Sequence, residues 1–142
     1  GLPIIVELKS FRDNYAALTE RTMAELDKFG VKYCVESFDP RCVAWVRKHR
    51  PEVIRGQLSQ NFLKDRGKLS LPMAFATTNL LGNIMAQPDF VAYRFKDRKK
   101  WAPRLCRRIY GAQRVYWTIR SKEELSIAES DGAIAIFEHF LP

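Results

Sequence analysis

Apolar positions along this chain switch repeatedly between two spacings. Short runs rich in β-branched residues alternate with longer stretches in which apolar residues recur every three or four positions, the period of one helix face. The first run, "PIIVELK" (3–9), leads into "NYAALTERTMAELDKFG", where Leu18, Thr22 or Met23, Leu26 and Phe29 recur at helical spacing. Gly30 stands where glycine favours closing a helix. "VKYCVESF" (31–38) predicts a second strand, and "DPRCVAWVRKHR" a helix capped by Asp39 with Pro40 in its first turn. "PEVIRGQL" (51–58) predicts a third strand.

After a polar stretch at 59–70, a helix is expected over 71–86. "PDFVAYRF" (88–95) follows as a fourth strand, then a helix within 98–110 whose regular part starts at Pro103. "AQRVYWTIR" (112–120) predicts a fifth strand. "SKEEL" has the spacing of a capping box, Ser121 with Glu124 three residues on. A short helix then leads to "DGAIAIFEHF" (131–140), the sixth strand.

Six strands separated by five helix-length connections imply right-handed βαβ units and a parallel sheet. The two parallel options are a doubly wound open sheet and a (β/α)8 barrel; no glycine-rich phosphate loop follows any strand, so the nucleotide-binding form of the first loses its best support. Such a barrel takes about 250 residues. If the barrel is right, the fold is α/β, parallel and of TIM-barrel type, with residues 1–142 forming one partial barrel from which the two N-terminal strands are absent.

Composition supports a packed domain: 46% of residues are hydrophobic and 12% aromatic, enough for a core. No apolar run is long enough to cross a bilayer, and the opening residues lack the basic and apolar regions of a signal peptide. Cys34, Cys42 and Cys106 have no CxxC spacing and read as free thiols of a reducing compartment, so a cytoplasmic location is expected.

In a barrel, functional side chains gather at the carboxyl ends of the strands. The candidates there are Glu7 and Lys9, Ser37 and Phe38, Trp117 and Arg120, and Glu138. Alternation puts Glu7 and Lys9 on one face. A carboxylate offers a hard oxygen ligand to a divalent cation, Mg2+ or Ca2+, and a lysine neutralises a phosphoryl oxygen. The plain alternative is an intrastrand ion pair.

The net charge is +8, and much of it lies in "RFKDRKKWAPRLCRRIYGAQR" (94–114), which holds nine Lys or Arg and one acid. Basic runs interleaved with aromatics occur on nucleic-acid surfaces, but no groove-reading motif accompanies this one, and a solvated helix face accounts for it. Nucleic acid is not the expected partner.

These residues resemble the glycerophosphodiester phosphodiesterases. "IIVELK" is similar to that family's IEIK-type strand, and "ESFDPRCVAWVRKHRPEVIRGQL" to its SFD strand with the helix and strand that follow. "QPDFVAYRF", "VYWTIRSKEEL" and "DGAIAIFEHF" resemble its later strands, in order along essentially the whole chain. The resemblance implies hydrolysis of a glycerophosphodiester to glycerol 3-phosphate and an alcohol, with Glu7 as a ligand of a catalytic divalent cation and Lys9 on the substrate phosphate. Phe38 and Trp117 would wall the glycerol end, or else be ordinary core residues. Arg120 departs from the asparagine often found there, and Glu138 stands in the place of the usual aspartate.

The family's HRG and HD motifs, which carry the acid–base histidines and two more acidic ligands, have no counterpart here. The resemblance implies that those histidines belong upstream of Gly1. His49 and His139 match neither motif and receive no catalytic part. The expectation is thus that this chain alone turns nothing over. Its partners would be a small-molecule glycerophosphodiester and either a missing N-terminal segment or a second copy to complete the barrel.

Overall fold

The structure is a computed structural model that describes residues 2–141. Gly1, upstream of which the acid–base histidines are expected, lies outside the described residues. In chain order the elements are β1 (Ile4–Glu7), α1 (Tyr15–Phe29), β2 (Tyr33–Ser37), α2 (Pro40–His49), β3 (Arg55–Ser59), α3 (Leu71–Thr78) and α4 (Asn83–Ala86). Then come β4 (Phe90–Arg94), a single 3-10 turn over Phe95–Asp97, α5 (Trp101–Tyr110), β5 (Gln113–Ile119), α6 (Lys122–Ser130) and β6 (Ile134–Phe137). The contacts gather into two compact units. One comprises the chain up to Leu58 with Gly82–Asp89, the other Ser59–Leu81 with the chain from Phe90 onward.

In the first unit, β1 pairs with β2 and β2 with β3, all parallel. Val6, Leu8 and Val35 pack against Met23 of α1 and Cys42 and Val46 of α2, so one side chain in two along these strands faces the helices. Alternation leaves Ile5, Glu7, Cys34 and Glu36 on the opposite face. Gly30 closes α1 at φ 59°, and Asp39 caps α2 by accepting the Arg41 N–H at 2.9 Å, both as the sequence predicts. α4 packs close to α2 at Gly82: a Cβ there would lie 2.6 Å from Pro40 Cβ.

In the second unit, β4 pairs with β5 and β5 with β6, again parallel. Val91 and Tyr93 pack with Ala102 and Cys106 of α5, while Tyr116 and Ile119 pack with Phe95 and with Ala128 of α6. The fold class is α/β and parallel throughout the described pairings, an incomplete fold of TIM-barrel type.

Two helices differ from expectation. The helix predicted over 71–86 breaks after Thr78, where Leu80 takes φ 58°. The Leu81 N–H bonds to Ala76 O and the Leu80 N–H to Thr77 O, the paired closure of a Schellman motif built without glycine. α5 begins at Trp101 rather than Pro103. Pro103 falls in the first turn, whose N–H groups have no helical partner, so its missing donor costs nothing there.

Candidate functional site at the carboxyl ends of the strands

β1 ends at Glu7, whose partner across the parallel ladder is Glu36 of β2. The two carboxylates therefore stand side by side on the face away from the helices. Glu36 is buried, 7% exposed, and its Oε2 has no hydrogen-bond partner. Burial, and then the charge of Glu7, raise its pKa to about 7. Lys9 lies beyond the strand, its Nζ 3.6 Å from Glu7 Oε2, with side chains 79% and 35% exposed. A contact that long and wet contributes little stability, so the ammonium is free to meet an anion.

The backbone under this pair is tied down. The Leu8 N–H donates to Glu36 O at 2.7 Å, and Ser37 Oγ donates to Leu8 O at 2.7 Å. Ser37 Oγ also accepts the Asp39 N–H at 3.0 Å, and Ser10 Oγ donates to Asp39 Oδ2 at 2.7 Å. Gln57, buried opposite Ser37 in the ladder, donates to the carbonyls of Ser37, Phe38 and Leu58. Ser37, a candidate by position, spends its hydroxyl on holding the strand ends. Phe38 follows β2 directly and is half-buried.

In the second unit, Trp117 Nε1 donates to Ala92 O at 3.0 Å, which anchors the indole over the neighbouring strand. Arg120 binds Glu138 Oε1 through Nε and a terminal nitrogen, both at 2.8 Å, and the Glu138 N–H returns to Ile119 O. These two candidates fix the ends of β5 and β6 to each other. His139 lies 3.7 Å from the Glu138 carboxylate, and His49 stacks on Trp45 with its Nδ1 2.9 Å from Trp45 O. Cys42 and Cys106 are buried, and burial followed by the Glu36 charge pushes the Cys34 thiol up, so none is an activated nucleophile.

No protein-family model matches the chain, and no curated protein does. Solved structures do. A protein assigned as a glycerophosphoryl diester phosphodiesterase from Silicibacter pomeroyi superposes with a TM-score of 0.66 at 21% identity, over 94% of this chain and 46% of that one. A phosphodiesterase from Oleispira antarctica, solved with its product sn-glycerol-3-phosphate, gives 0.65 at 12% identity, over 92% of this chain and 49% of that one. A protein assigned to the same activity from Galdieria sulphuraria gives 0.64 at 16% identity, over 96% and 53%. This is the fold of the glycerophosphodiester phosphodiesterases.

The chain spans about half the length of these phosphodiesterases. Glu7 and Lys9 stand together as the sequence predicts, and the structure sets beside them two residues the sequence did not single out, Glu36 and Gln57. The signal for Glu36 was a lone acid inside "YCVESF", two residues from the end of the run 31–38 as Glu7 is from the end of the run 3–9. Only the register of β1 on β2 shows that the two meet.

Proposed function

We infer that the carboxyl ends of β1 and β2 bind the phosphate of a glycerophosphodiester together with a divalent cation, as part of a phosphodiesterase that releases glycerol 3-phosphate and an alcohol. The observation that carries this reading is the Glu7–Glu36 pair, with the exposed Lys9 ammonium beside it.

No group of three or more His, Cys, Asp or Glu side chains able to hold a metal occurs among the described residues. Two adjacent carboxylates, one with a buried and unpartnered oxygen, nonetheless suit Mg2+, which binds through one or two carboxylates and completes its shell with water and phosphate oxygens. When bound, the cation supplies charge stabilisation at the phosphoryl group. Glu7 and Glu36 would hold it, and Lys9 would neutralise a phosphoryl oxygen as a point charge. Phe38, directly after β2, is the apolar surface of this unit that the resemblance assigns to the glycerol end of the substrate. The resemblance assigns the acid–base step to two histidines on strands that His49 and His139 do not match, so a segment bearing them would supply that step.

Calorimetric titration of sn-glycerol 3-phosphate tests this. Binding should need both Mg2+ and the carboxylates, with Glu7→Gln and Glu36→Gln each weakening the cation by about tenfold or more. Joining the chain to the N-terminal half of a related phosphodiesterase should restore cation-dependent hydrolysis. Binding that survives chelation and both substitutions would overturn the reading.

A further inference from the structure

The phosphodiesterase reading leaves the basic segment unused. Part of it is structural. Arg94 pairs with Asp65 and Asp97 at 2.6 Å each, Arg98 lies over the Phe95 ring at 4.2 Å, and Arg114 donates to Asp131 O. What remains is concentrated on α5. Its buried side is Ala102, Pro103 and Cys106. On its outer side Trp101, Leu105 and Ile109, spaced four apart, form one apolar stripe and are 54%, 40% and 59% exposed.

Arg104, Arg107 and Arg108 are exposed beside the stripe, with Lys99 and Lys100 just before the helix. Among the described residues none of these five cations makes an ion pair. No Asp or Glu occurs in the sequence between Arg98 and Lys122.

We propose that α5 is a membrane-surface helix that docks the protein on bilayers rich in anionic lipid. No helix of the described residues is long and apolar enough to cross a membrane. α5 instead has the make-up of a helix that lies in the interface plane, with Trp and aliphatic side chains entering the headgroup boundary and arginines meeting lipid phosphates. Each such cation is attracted to an anionic surface within about a Debye length of it. Charge selects this occupant. A second copy would set an unpaired arginine row against another +8 molecule. Nucleic acid would engage the arginines yet leave the apolar stripe in water.

The test is co-sedimentation of the whole chain with phosphatidylcholine vesicles, with and without phosphatidylglycerol, read beside tryptophan emission. Binding should need the anionic lipid, fall at least about tenfold from low to high salt, and blue-shift an emission component that Trp101→Tyr removes. Leu105→Ser with Ile109→Ser should abolish the shift, and Arg104→Gln with Arg108→Gln should cut binding about tenfold or more. All four positions are exposed, so far-UV circular dichroism should not change. Equal binding to neutral vesicles, binding undiminished by Leu105→Ser with Ile109→Ser, or RNA or acidic-protein binding without any vesicle binding would each overturn the proposal. Glycerol 3-phosphate titration of the same variants should be unchanged, which keeps this proposal separable from the phosphodiesterase reading.

Discussion

At Glu36 a carboxyl group with a pKa of about 7 sits in a strand where its neighbour Val35 is wholly buried. Below the ordinary glutamate range the side chain is protonated in both the folded and unfolded chain, and its burial carries no ionic cost. Between that range and about pH 7 the folded protein holds a proton that the unfolded chain releases, so stability falls as pH rises through this window. Glu36→Gln should therefore match the parent at pH 4 and exceed it by on the order of 2 kcal/mol above neutrality, measured by urea unfolding without divalent cation. An equal difference at both ends would show that the carboxylate is not desolvated. Alternation along "IIVELK" sufficed to place Glu7 and Lys9 together. Glu36 was illegible because a carboxylate in a strand declares its cost only once burial and the adjacent charge are known.

Helix ends show the same division between local and tertiary causes. Gly30, Asp39 with Pro40, and Ser121 are local devices, and each stands where the sequence puts it. Ser121 Oγ accepts the Glu124 N–H at 3.2 Å, while Glu124 returns to the Arg120 N–H, one residue earlier than the motif specifies. The break at Leu80 has no local signature. Leucine disfavours a positive φ, and the cost is met because the side chain, 5% exposed, packs with Val91, Tyr93 and Ala102. Gly82 is read more easily once its neighbour is known. α4 approaches Pro40 so closely that Gly82→Ala must push one helix from the other, since a proline ring cannot rotate away. The substitution should cost about 1–3 kcal/mol in thermal or urea unfolding. Gly132→Ala is the wrong control, because Gly132 has φ 66° and adds backbone strain; Gly82 has none.

For the whole molecule, strand order matters more than any one contact. Among the described pairings β1 meets only β2 in the first unit and β6 only β5 in the second, and the side chains there are exposed: Ile4 and Ile5 on β1, Ile134 and Phe137 on β6. Unpaired strand edges carrying apolar side chains recruit further strands. The chain should therefore self-associate as concentration rises, and Ile4→Lys with Ile134→Lys should return it to monomer in sedimentation velocity. Salt separates this from docking through α5. Two copies of a +8 molecule repel, so screening strengthens their edge-to-edge contact. The same screening weakens the attraction between the arginines of α5 and anionic lipid. Raising salt should therefore increase association and reduce vesicle binding in the same sample. If both rose together, the apolar stripe of α5 would be the surface that joins the copies; if both fell, the edges would not be what holds them.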